Sequence, residues 1–210
     1  MTREEIKKKN EFEKRFKSLL KGIVKKYKIK KKDYMLWTLQ NEMISSIFPN
    51  AYLKELDFKP VIDIWIEYKP MWADDLLWDI LGMQTNKNEP NSLRVIGAFT
   101  MISATYVKKS IKLQSDDIEE VRSVLYAEIE NFLNSLPILT EQMYISEILN
   151  SKTVSDIDKA LIYIHQNKIN EAKILVKETS DTGRFMIGNK SYQKLVEEYL
   201  STFREIYLWR

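Results

Sequence analysis

Apolar residues recur every three or four positions along the first 27 residues. Phe12, Phe16, Leu19, Leu20, Ile23, Val24 and Tyr27 fall on one face of a helix, and Lys14, Arg15, Lys17, Lys21, Lys25 and Lys26 fall mostly elsewhere on the cylinder. The spacing predicts a helix over 3–27. Thr2, with Glu5 three residues later, has the spacing of a capping box. The run KIKKKD at 28–33 ends the helix and leads into strands.

The period then changes to two. Residues 34–40 (YMLWTLQ) and 43–52 read as strands, punctuated by Asn41-Glu42 and Pro49-Asn50. Residues 61–69 alternate most clearly. Ile62, Ile64, Ile66 and Tyr68 share one face, and Asp63, Trp65, Glu67 and Lys69 share the other. The first face is expected to be core and the second wet. A tryptophan among charges implies a cover, and the C-terminal helices are expected to supply it. The alternative is an exposed anchor for a partner. Pro70 ends the strand, and a helix is predicted over 73–81. Asp74 and Asp75 stand in its first turn, where the helix dipole favours negative charge, and Gly82 is its stop. Residues 83–92 form a polar loop. The β-branched and aromatic content of 92–113 predicts one long bent strand or two consecutive ones, with Gly97 marking a bulge or a close backbone approach.

A second long helix is predicted over 116–136, capped by Ser115 or Asp116. Its stripe is Ile118, Val121, Leu125, Ile129, Phe132 and Leu136, and Pro137 stops it. Beyond it, 140–150, 155–166, 170–180 and 190–208 all read helical, with Thr140, Ser155 and Asn170 as candidate caps. Asp181-Thr182-Gly183 breaks the chain before the last helix, whose stripe runs from Tyr192 to Ile206 and Tyr207. These elements predict an α+β fold. An antiparallel sheet of four or five strands carries the two long helices on one face, in a domain over 1–137. A helical C-terminal region over 138–210 packs on that domain.

The strand near 61–68, ADDLLWDILG at 73–82 and SLRVIGAF at 92–99 carry a resemblance of residues 34–99 to an uncharacterised family of bacterial α+β domains, which implies no known activity. DKALIYIHQNKINEAKILVKE at 158–178 resembles a single tetratricopeptide-like helical hairpin. Ala160, Leu161, Tyr163, Glu171 and Ala172 stand at its packing positions, and Asn167 stands where glycine is common. One such unit cannot form an array, which takes roughly three, so the expectation is local hairpin packing.

Composition narrows the chemistry. Among 210 residues there is no cysteine and one histidine, His165, which excludes thiolate and multi-histidine sites. The five glycines occur in neither phosphate-loop pattern. No apolar run approaches a membrane span, and no apolar segment follows the charged first residues, so the expectation is a soluble cytoplasmic protein with no membrane association. The net charge of +3 is uneven. Residues 1–32 hold 14 basic and 4 acidic side chains, and the remainder is net negative.

Three constellations could carry function. Asp74, Asp75 and Asp79, with Trp72 and Trp78 beside them and Arg94 reaching over from the next strand, could line a polar pocket. They could also hold a divalent metal for a metal-dependent enzyme; the bland alternative is helix-start and surface chemistry. Trp65 could anchor a partner. Lys14, Lys17, Lys21 and Lys25 could neutralise nucleic-acid phosphates, bind an acidic protein, or be a solvated face. His165 sits at a helix end, where the dipole favours it. The expectation is a non-enzymatic binding or protein-interaction protein that needs no cofactor and no metal. By class analogy alone it is of the partner-neutralising immunity type. The alternatives are a nucleic-acid-associated protein using the basic helix, and the metal-dependent enzyme.

Overall fold

The computed structural model describes residues 2–54, 59–115, 117–180 and 182–203. Asp116 as a cap, Asp181 in the break, and Ile206 and Tyr207 in the last stripe lie outside the described residues.

The chain divides into two compact units. One comprises Met1–Tyr68 with Thr105–Leu139, and the other Lys69–Ala104 with Thr140–Arg210. The division falls at 68/69, 104/105 and 139/140. Residues 69–104 thus belong with the C-terminal helices.

In the first unit, α1 (Arg3–Tyr27) starts on a complete capping box: the Thr2 hydroxyl accepts from the Glu5 amide, and the Glu5 carboxylate accepts from the Thr2 amide. The sheet is antiparallel in the order β1 (Lys30–Lys32), β2 (Met35–Gln40), β3 (Met43–Leu53), β4 (Pro60–Pro70), β5 (Ala104–Lys112). Periodicity missed β1 because its three residues are all lysine; it exists because Met35, Leu36 and Trp37 offer it a ladder. Asn41 and Glu42 both have positive φ, the twist a two-residue hairpin needs. Ile62, Ile64 and Ile66 of β4 join Leu36 and Ile47 in one core. Phe12, Phe16, Leu20 and Ile23 of α1 pack into that core, as do Val121, Leu125, Ile129 and Phe132 of α4 (Ile118–Ser135). The two long helices therefore cover one sheet face, as their apolar stripes require. Asp117, not Ser115, caps α4 through the Glu119 amide.

The second unit contains α2 (Met71–Leu81), the short α3 (Ser92–Ile96) and four further helices: α5 (Glu141–Asn150), α6 (Asp156–His165), α7 (Ile169–Glu178) and α8 (Tyr192–Thr202). A two-residue hairpin, β6 (Met186–Ile187) and β7 (Lys190–Ser191), precedes the last of these. Thr140 and Ser155 cap as expected, whereas α7 begins without a side-chain cap at Lys168, so Asn170 lies inside the helix. Asn167 takes the left-handed conformation (φ 59°) that lets α6 turn tightly into α7.

The predicted strand over 92–113 is corrected. Its first part is α3, and only 104–112 is strand. The Leu93 amide donates to Pro90 and the Arg94 amide to Asn91, which closes a helical turn that β-propensity opposed. The turn ends where the Gly97 amide donates to the Leu93 carbonyl at 2.7 Å. A Cβ at residue 97 would collide with that oxygen. Gly97 is thus the close backbone approach rather than a bulge. Gly97→Ala is expected to lower unfolding stability by about 1–3 kcal/mol, measured by urea denaturation, whereas Gly22→Ala, which meets no atom within 4 Å, is expected to be neutral or stabilising.

Candidate functional site

The sheet strand β4 runs on to Pro70, and α2 begins at Met71, two residues earlier than periodicity predicts. Asp74 thereby sits in the first helical turn, 0% exposed, and Asp75 falls in the second. Asp74 does more than complement the helix dipole. Its Oδ1 accepts from Lys69 Nζ at 2.9 Å and from the Met101 amide at 2.7 Å, and Lys69 donates again to the Met101 carbonyl at 3.1 Å. Lys69 was expected on a wet face but is 2% exposed, drawn in by these two acceptors. Burial pushes the lysine below its ordinary pKa and the carboxyl above its own, and the attraction between the two opposes both shifts.

Arg94 completes the cluster from α3 rather than from a strand. Its guanidinium is buried, lies over the Trp78 ring at 4.5 Å, donates to the Met71 carbonyl at 2.9 Å and to Asp75 at 2.7 Å, and approaches Asp74 Oδ2 at 4.0 Å. Trp78, 1% exposed, donates its indole N–H to the Phe99 carbonyl at 2.6 Å, and Tyr144 donates to the Ile102 carbonyl at 3.0 Å. Residues 97–103 contain no helix or strand, so side chains satisfy backbone groups that a ladder would otherwise satisfy.

Of the residues proposed from sequence, Asp75, Trp78 and Arg94 are brought together. Asp79 is not: it pairs with Lys87 at 2.6 Å. Trp72 stacks flat on His165, with ring centroids 3.5 Å apart and planes 2° apart, and His165 meets Glu141 at 2.8 Å. Each of the three aspartates therefore has a cationic partner. A second buried carboxylate escaped the sequence reading. Asp158, 1% exposed, accepts from Ser155, Arg184 and Tyr192. Its only sequence signal was Ser155 three positions before it, which reads simply as a helix cap.

Trp65 belongs to the first unit and is 40% exposed. The Phe48 ring lies 5.9 Å away, and Lys108 holds its ammonium 4.7 Å over the indole. Beside it, Ser110 donates to Asp63 at 2.7 Å, so β4 and β5 present one polar-aromatic face here. Tyr106, also exposed, alternates onto the Lys108 side of β5. Lys14, Lys17, Lys21 and Lys25 are all exposed and form one stripe on α1, opposite Phe12, Phe16, Leu20 and Ile23. Lys17 pairs with Glu13; Lys14, Lys21 and Lys25 have no ion-pair partner among the described residues.

No family model matches the chain, and no solved structure matches it. A stretch of 127 residues, 58% of the chain, is 29% identical to a cell division protein, DivIB, of Brevibacillus brevis, and covers 46% of that protein. The chain thus matches less than half the length of this relative. The similarity agrees with a chain of bacterial type. Among the described residues no helix is long and apolar enough to cross a membrane.

Lys69→Met is expected to destabilise the protein by about 3–5 kcal/mol, because it strands a buried carboxylate; adding Asp74→Leu should recover part of the loss in a urea double-mutant cycle. A second outcome concerns alkali. Burial and the Asp158 charge hold the Tyr192 phenol well above its ordinary pKa. The folded state therefore keeps a proton that the unfolded chain gives up near pH ~10. This contribution to stability is full below that pH and falls as pH rises through it. Tyr192→Phe should flatten the decline, read from melting temperatures between about pH 8 and 11.

Proposed function

We propose that this is a non-enzymatic binding protein that engages a protein partner, with Trp65 as the anchor. The single observation that carries the reading is the exposed indole on the β4–β5 face, flanked by Phe48 and Lys108. A large aromatic ring with a cation above it gives both apolar area and a charged rim, the combination in which interface energy concentrates. The engagement of Asp74, Asp75 and Asp79 by Lys69, Arg94 and Lys87 supports a structural use of those carboxylates over the metal-dependent alternative. Class analogy extends the reading to a partner-neutralising protein of the immunity type, acting in the cytoplasm. The similarity to a cell division protein names a process in which to look for the partner.

A second reading is favoured by the α1 stripe. Lys14, Lys17, Lys21 and Lys25 fall within about 17 Å of helix axis, at ~1.5 Å per residue, and could track a phosphate backbone. Nucleic acid bound this way would dissociate steeply with salt.

Affinity capture from native lysate tests both. A stoichiometric protein retained by the wild type and weakened at least about tenfold by Trp65→Ala, a change the protein should tolerate because the ring is exposed, supports the first reading. Equal retention by the variant overturns it. Nuclease-sensitive capture lost on combined Lys14→Glu, Lys21→Glu and Lys25→Glu substitution supports the second.

A further inference from the structure

We infer that the far half of β3 is an open sheet edge that accepts an extended, acidic peptide of a partner protein as an added strand. β2 pairs with β3 from Gln40 opposite Met43 to Leu36 opposite Ile47. The chain then turns back through Asp33, whose φ is 52°, and β1 lies on the other side of β2. β3 does not stop there but continues to Leu53. From Phe48 onward it has no strand neighbour on the β2 side among the described residues. Pro49, at the point where pairing ends, has no N–H to continue the ladder. An unpaired strand edge is a template for another strand.

What lies over this edge makes it a groove. Its volume is about 660 Å³, and α1 walls it with Lys9, Phe12, Glu13 and Phe16, opposite Tyr34 and residues 50–54. Phe12, Phe16 and Leu53 are core residues, so the floor is apolar and held by the core. Six strand residues span roughly 20 Å at ~3.3 Å each, room for five or six residues of a guest. In strand addition the guest's main chain pairs with the edge while alternate side chains enter the floor.

Charge selects among peptides. Lys9 and Lys54 stand at the groove, and the surrounding first 32 residues hold 14 basic and 4 acidic side chains. The one carboxylate inside, Glu13, already accepts from Tyr34 at 3.1 Å and pairs with Lys17 at 2.7 Å, so it is compensated. The favoured guest alternates apolar residues with Asp or Glu. The groove does not involve Trp65, so this inference and the Trp65 reading stand or fall separately.

Selection of random twelve-residue displayed peptides on the full chain tests it. Enrichment of alternating apolar and acidic residues is expected, and a labelled synthetic copy should bind with protection of 48–54 from amide exchange. N-methylation of every second amide in one register should weaken binding at least about tenfold, and in the other register leave it nearly unchanged. This arm leaves the protein unaltered, so folding cannot confound it. Lys9→Glu with Lys54→Glu should also weaken binding about tenfold. The inference is overturned if no such peptides enrich, if N-methylation in either register is without effect, if the charge reversal is silent, or if protection maps outside 48–54. It is equally overturned if β3 pairs instead with a second copy of the chain that the peptide does not displace, or if nucleic acid displaces the peptide.

Discussion

The Asp74 carboxylate is the buried point to which the stretch from Lys69 to Met101 is tied. It meets a lysine from the end of β4, an arginine from α3 and the amide of Met101, and so ties three separate stretches of chain to one buried point. Without it, the segment over 97–103 would have to satisfy its backbone in some other way, because it belongs to no ladder. The partners are mutually dependent: a lone buried charge would be far more costly than the pair. Trp78 and Tyr144 add neutral hydrogen bonds to the same segment. The Asp158–Arg184–Tyr192 cluster repeats the arrangement, with a carboxylate at a helix start binding a distant loop and helix.

The first unit rests on a different principle. Its main cluster is built from the apolar stripes of α1 and α4 against the inward residues of β2, β3 and β4. Its features of functional interest arise at the limits of that core. Trp65 is on the sheet face away from α1 and α4, and the groove beside β3 opens where the ladder with β2 runs out before the strand does. Binding surfaces follow from where regular pairing and packing stop.

The parts legible in the sequence were those with a strong local period. The helices over 3–27 and 118–135 and the strand over 60–70 were visible because burial on one face imposes spacings of 3.6 or 2 on apolar residues. The capping box at Thr2 and the stop at Gly82 were visible because they depend on neighbours in sequence. The short α3 was misread because Val95 and Ile96 favour strand, while a local turn and the anchoring of Arg94 decided for helix. Of the three aspartates grouped with Arg94 from sequence, Asp74 and Asp75 meet it and Asp79 pairs with Lys87 instead; Met101 and Lys69 were not readable as partners of Asp74, since they meet it only on folding.

The sequence by itself determined the long helices and the alternating strands, the α+β class, the absence of thiol chemistry and the concentration of positive charge in the first 32 residues, because these depend on composition and on contacts a few residues apart. Tertiary structure alone decided that Lys69 is buried, that Trp65 is exposed and that β3 outruns β2. Each depends on what lies opposite a residue in space: a carboxylate 2.9 Å away for Lys69, a lysine over Trp65, and a turn at Asp33 that removes the strand β3 would otherwise pair with.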